Sequence, residues 1–267
     1  MLAAAKPAAT ATTTSQLLRN RDASGVVTLT LNRPADYNAL TIGLVKSLID
    51  TLEELSEDDS VKVIVVAGAG SNFSSGIDHG ELRTGKPDDG RAQFYRLMTS
   101  LMTLIKQVPQ PIVAKVRGIA ASEGCQLVAG CDLAIAGRSA RFTLPEVEAG
   151  LVCSLPLVSI SRAVGQKRAL ELALTGAVIG AQQAGEIGLV GSVVPDFELD
   201  QTADDLAARI AGMSHSAVAQ TKEAFYRQVD LPAADAYKAA AEAATRRLGR
   251  RGTQTNEGVF QAKRLKA

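Results

Sequence analysis

From Val26 the chain alternates: Val27, Leu29 and Leu31 fall on one side, Thr28 and Thr30 on the other. That period of two predicts a half-buried strand. A loop follows, and Thr41 is placed to cap a helix whose apolar positions are Leu44, Val45, Leu48, Ile49, Leu52 and Leu55. Residues 61–67 are dense in β-branched side chains and predict a strand buried on both faces. Phe94, Leu97, Met98, Leu101, Met102 and Ile105 stripe a second helix that stops near Pro109 and Pro111. Strands are expected at residues 112–116 and 133–136, and a helix at 168–174 ended by Gly176. Beyond Asp200 the pattern becomes Ala-rich and helical, with no strand signal. Strand and helix thus alternate to about Val194, which predicts an α/β core, residues 21–198, followed by a helical subdomain, residues 199–267.

Residues 1–20 read as a disordered tail. The opening lacks the apolar segment of a secretory signal, but it is acid-poor and carries Lys6 and Arg19, so a transit peptide is the alternative. The expected location is cytoplasmic in a bacterium, or mitochondrial in a eukaryote.

Composition narrows the chemistry. The 267 residues carry 29 basic and 28 acidic side chains, a net charge of +1, and no Trp. A chain so balanced and so poor in aromatic rings is not built to coat nucleic acid or a membrane. There are two histidines, His79 and His215, and three cysteines, Cys125, Cys131 and Cys153, at spacings that match no zinc motif. Gly68-Ala69-Gly70 has Phe73 where a dinucleotide fingerprint needs glycine. The G-x-x-x-x-G-K match that starts at Gly80 is followed by Pro87 rather than a hydroxyl that would hold magnesium.

Two loops hold the candidate chemistry. They are Phe73-Ser74-Ser75-Gly76-Ile77-Asp78 and Gly118 to Leu127, each following a buried strand. Glycine-bearing loops leave N–H groups unpaired, and the second loop runs into a helix N-terminus. Two such N–H groups from separate loops can hold one developing oxyanion. The glycines can equally serve tight turns alone.

The run Leu31-Asn32-Arg33-Pro34 with Asn38-Ala39-Leu40 resembles the opening motif of the crotonase (enoyl-CoA hydratase/isomerase) superfamily. Residues 63–78 and 118–132, Pro145-Glu146-Val147, Gly150-Leu151, Ala169-Leu170-Glu171-Leu172 and Thr175-Gly176 match in the same order. The phrases Gly124-Cys125-Gln126-Leu127-Val128 and Gly150-Leu151-Val152-Cys153-Ser154 are most similar to the branch of enoyl-CoA hydratase domain-containing protein 3.

The resemblance implies a crotonase-like spiral of strand-strand-helix turns, with C-terminal helices that build trimers or hexamers. It implies an acyl-CoA thioester substrate, with coenzyme A as part of the substrate and no separate cofactor or metal. The thioester oxygen would sit between the N–H groups of Ile77 and Glu123. Arg33, Ala35, Ser75, Gly76, Asp78 and His79 would line the path of the CoA, with Phe260 and Lys263 at its nucleotide. No nucleic-acid or membrane partner is expected.

The departures shape the expected chemistry. Hydratases of the family use two glutamates. The second aligns with Glu146, while the first falls on Gln126, an amide that cannot act as a base. The middle of the usual three-glycine run is Glu123. Glu146 is therefore expected to carry the proton in isomerisation or hydration of an enoyl-CoA, with Gln126 orienting a water or the acyl chain. A paralogue that has lost catalysis and binds acyl-CoA or RNA is the alternative. Glu148, two residues from Glu146, is expected to be a solvated loop charge. Cys125 and Cys153 are expected to pack, and Asp132 to be structural.

Overall fold

The computed structural model describes residues 15–81 and 87–249. Strands β1 (Leu17–Arg21), β2 (Val26–Leu31), β3 (Val63–Gly68), β4 (Ile112–Val116), β6 (Leu133–Gly137) and β9 (Ser192–Val194) form one six-stranded sheet in the order β1-β2-β3-β4-β6-β9. β1 joins antiparallel and the other pairings are parallel. A smaller sheet holds β5 (Ile119–Ala121), β7 (Arg141–Thr143) and β8 (Ile179–Gly180) in the order β5-β7-β8. After leaving the large sheet at β4 the chain adds β5 to the small one, then turns into helix α3 (Glu123–Gly130). β6 and β7 repeat the step before α4 (Leu155–Val164) and α5 (Gln166–Thr175). This is the expected spiral of strand-strand-helix turns.

The unbroken apolar run of β3 has a physical cause. Ile64 and Val66 join the main core with α1 (Ile42–Ser56) and α2 (Pro87–Gln107). Val63 and Val65 face the opposite way, onto Ala207 of α7 (Leu199–Ala211). Both faces of the strand are covered, so neither needs polar side chains. Thr41 caps α1 as its position predicts, its hydroxyl accepting from Leu44 N–H at 3.0 Å.

Two boundaries differ from expectation. Leu17 to Asn20 are paired in β1 and so are not part of a tail. The first compact unit runs to residue 219, because Leu199, Ala203 and Ala207 bury α7 against the sheet. The second unit, residues 220–267, holds the end of α8 (His215–Gln228) and α9 (Ala233–Gly249), with Phe225 edge-on to Tyr226 at 5.2 Å. Among the described residues no helix is long and apolar enough to cross a membrane.

Candidate active site

The two loops singled out by their glycines lie side by side. Ile119 C=O accepts from both Phe73 N–H and Ser74 N–H, each at 3.0 Å, and Ala121 N–H donates to Ser74 C=O at 2.9 Å. Asn38, fully buried, donates its amide to the carbonyls of Ala69 and Asn72 and accepts from Arg33 N–H, so it pins the first loop from below. Two glycines allow the approach. A Cβ on Gly124 would stand 2.4 Å from Ser74 O, and one on Gly76 (φ +89°) would stand 2.6 Å from Ser122 Cβ. The N-terminus of α3 therefore abuts the Ile77 turn.

A cavity of about 480 Å³ opens at this junction. Ser75, Ile77 and His79 come from the first loop, Ser122 and Glu123 from the second. Arg91 and Tyr95 of α2 and the segment from Pro145 to Pro156, including Glu146 and Ser154, complete the wall. A broader depression of about 710 Å³ beside α5 is lined by exposed side chains such as Arg168, Gln182 and Glu186 and holds no buried polar group.

Glu146 reaches the cavity because residues 145–150 form a turn: Ala149 N–H donates to Pro145 C=O and Gly150 N–H to Val147 C=O. The turn sends Glu146 inward and leaves Glu148 exposed over Gly176, off the cavity wall. Glu123 follows a different course from the one its backbone role suggests. Its side chain is buried and folds back over the Ile77 turn, where Oε2 accepts from Ile77 N–H at 3.0 Å. The N–H expected to meet a substrate oxygen is thus held by an oxygen of the protein's own carboxylate. The N–H of Glu123 itself is the first of α3 and has no carbonyl inside the helix to reach.

Ser122, which carries no expected role, links the two glutamates. Its Oγ lies 2.7 Å from Glu123 Oε2 and 2.7 Å from Glu146 Oε1. Its backbone sits at φ +52°, ψ −126°, a region glycine occupies readily and serine does not. Such strain costs on the order of 1–3 kcal/mol and persists only where the surroundings enforce it. The signal legible in the chain is a pair of polar side chains, Ser122-Glu123, directly before Gly124 at the start of a helix.

Other expected residues part company with the cavity. Gln126 lies one turn further along α3, buried, with no hydrogen-bond partner for Oε1 among the described residues, and it does not line the wall. Arg33 is engaged: Nη1 donates to Ala39 C=O at 2.8 Å and to Asp78 Oδ2 at 2.9 Å, and Nη2 to Asp36. Burial pushes the Asp78 carboxyl up, but Glu81 N–H and the Arg33 guanidinium outweigh it and hold the group below its usual range. Ala35 is exposed on the turn between β2 and α1. Asp132 is structural, accepting from Ile112 N–H at 2.6 Å. Phe260 and Lys263 lie outside the described residues.

The thiols near the cavity are inert by environment. Burial, and after it the Glu146 charge, pushes both Cys125 and Cys153 from 9.0 up to about 12. A thiol that holds its proton more tightly when folded stabilises the fold fully below the unfolded value, and that stability is lost as pH rises from about 9 towards 12. Iodoacetamide at pH 8 is expected to leave both thiols unmodified in the native protein and to label them in urea. Denaturant midpoints should fall above pH 9. Rapid labelling of the native protein at pH 8 would contradict the assignment. Burial also pushes the Tyr95 hydroxyl up, helped by the charge of Glu123.

The model of the family described as enoyl-CoA hydratase/isomerase matches residues 21–261. The mitochondrial enoyl-CoA hydratase domain-containing protein 3 of Rattus norvegicus is 37% identical over 249 residues, covering 93% of this chain and 83% of the relative. A crystal structure of enoyl-CoA hydratase from Mycobacterium smegmatis superposes with a TM-score of 0.89 at 38% identity, covering 94% of this chain and 97% of that one. The crystal structure of human enoyl Coenzyme A hydratase domain-containing protein 3 gives 0.88 at 34% identity, with 93% and 98% covered. With its spiral core, its ordered motifs and a family match over nearly its whole length, the chain belongs to the enoyl-CoA hydratase/isomerase family.

Proposed function

We propose that the protein is an acyl-CoA enzyme that polarises a thioester carbonyl with the N–H groups of Ile77 and Glu123 and moves a proton with Glu146. The observation that carries the reading is the Glu146 carboxylate on the wall of the cavity that also holds Ile77 and the first turn of α3. A polarised thioester makes its α-proton acidic and its β-carbon electrophilic. A carboxylate on the same cavity wall as the two loops serves either double-bond isomerisation or hydration of an enoyl-CoA. A carbonyl oxygen that binds Ile77 N–H must first displace Glu123 Oε2 from it. Ser75 and His79 at the cavity mouth, with Arg91 of α2, suit the polar part of the CoA. The test is a panel of 2-enoyl- and 3-enoyl-CoA thioesters, followed by ultraviolet absorbance and product mass. Turnover of at least one is expected.

A second reading, a catalytically reduced paralogue that binds acyl-CoA or RNA, is favoured by two features: Gln126 in place of a carboxylate, and an Ile77 N–H already engaged by Glu123. Measurable turnover on the panel removes it.

Assembly is part of the proposal. Phe225 of α8, Tyr237 of α9 at 79% exposure, and Val229 and Leu231 between the two helices leave apolar surface near the C-terminus. The protein is expected to sediment as a trimer or hexamer at micromolar concentration. A monomer there would contradict this.

A further inference from the structure

The Ser122 hydroxyl has one proton and two carboxylate neighbours. It stands 2.7 Å from Glu123 Oε2 and 2.7 Å from Glu146 Oε1, so it can donate to only one of them. Two carboxylates and one hydroxyl in a row make two hydrogen bonds only if a second proton is present on one of the carboxyls. Without it, one oxygen pair faces lone pair to lone pair at 2.7 Å, in a site where Glu123 is 2% exposed. We infer that Glu123, Ser122 and Glu146 share one extra proton, and that Glu123 acts through Ser122 as the second proton-carrying group of the site. This rests on the acyl-CoA reading for its chemistry, though the shared proton itself does not.

The transfer balances without any other reactant. A protonated Glu146 gives its proton from Oε1 to Ser122 Oγ, while Ser122 gives its own to Glu123 Oε2. Glu146 becomes the carboxylate, Glu123 the carboxylic acid, and the hydroxyl is intact with its bonds reversed. The direction has a physical trigger. At rest Glu123 Oε2 accepts from Ile77 N–H and stands beside Ser122 Oγ, whereas Glu146 Oε1 has Ser122 Oγ alone. A carbonyl oxygen that takes Ile77 N–H removes that donor. Glu123 then draws the proton through Ser122, and Glu146 is freed as a base at the moment the carbonyl is seated. The arrangement supplies, from a different position on α3, the second acid–base carboxyl that Gln126 does not. The other titratable groups facing the row are Tyr95 and Arg91 of α2, His79 beside the first loop and the Cys125 and Cys153 thiols.

The test is infrared spectroscopy of protein labelled with ¹³C-carboxyl glutamate, between about pH 6 and 8. A label-sensitive protonated-carboxyl band is expected in the wild type. It should vanish in Glu123→Gln and in Glu146→Gln, since each leaves a single carboxylate that the Ser122 proton can satisfy. Absence of the band in the wild type, or its survival in Glu123→Gln, overturns the inference. The second readout is exchange of the α-hydrogens of butyryl-CoA in D₂O. Ser122→Gly deletes the hydroxyl and suits the backbone angles at that position. It is expected to slow exchange by about a hundredfold or more, the lower end of what a proton-carrying group contributes, and to flatten the pH profile. Unchanged exchange and profile in Ser122→Gly would overturn the relay. A wild type that shows the band but no exchange with any thioester counts against the acyl-CoA reading and the relay's catalytic part, and supports the shared proton.

Discussion

Glu146→Gln is expected to lower turnover of an enoyl-CoA by about 10²–10⁴-fold, the usual contribution of a positioned acid or base. The amide keeps the size of the side chain and can still meet Ser122 Oγ, but it carries no transferable proton. Thioester binding should change little, because Ser75, Ile77 and His79 are untouched. Measured kinetics should therefore show kcat falling with KM nearly constant, the pattern of a group that acts mainly in the transition state. Full activity in this variant would move the catalytic role elsewhere on the cavity wall, with Glu123 the nearest carboxylate.

Ile77→Pro removes one N–H donor without adding charge, and about a hundredfold loss or more in turnover is expected, as for deletion of one oxyanion donor. The same donor holds Glu123 in the free protein. Its loss leaves a buried carboxylate with one fewer partner, a cost of about 1–3 kcal/mol. The variant should therefore also melt at lower temperature, and the residual activity must be compared at a temperature where circular dichroism shows it folded. Normal turnover by a folded Ile77→Pro protein would show that the Ile77 N–H does not bind the reacting oxygen.

In the proposed function Ile77 N–H has two partners, Glu123 Oε2 in the free protein and a carbonyl oxygen in the complex, and the second must displace the first. Glutamate is compatible with the backbone at position 123 because the residue opens α3. From there the side chain can turn back over the Ile77 turn only as far as Gly76 leaves room. A Cβ on Gly76 would stand 3.1 Å from Glu123 Oε2. Glycine there thus serves both the turn and the seat of the carboxylate.

Much of the fold was legible along the chain wherever a periodic pattern was long enough to bury one face. β2, α1 and β3 stand where alternation, the Thr41 cap and β-branched density predict them, because those signals arise from local geometry and solvent contact. The short elements were not legible. β5 and β7 have three residues each, and they exist as strands because they pair with one another, which no local preference records. By its Ala-rich pattern α7 belongs with a separate helical part, yet its small residues Ala203 and Ala207 let it close against β3 and β6. The chemistry divides in the same way. Residue types and their order marked Glu146, Ile77 and the unusual Glu123 as the groups to examine, since a carboxylate or a missing glycine is a property of the chain itself. Their relations to one another belong to folding. That Glu148 points to solvent while Glu146 points inward follows from a turn closed by main-chain hydrogen bonds. That Gln126 is sealed off, and that a serine hydroxyl stands between two glutamates 23 residues apart in the chain (Glu123 and Glu146), follows from two loops brought together by strand pairing. Such distances are set by long-range packing, and no stretch of sequence short enough to be read as a motif contains both ends of them.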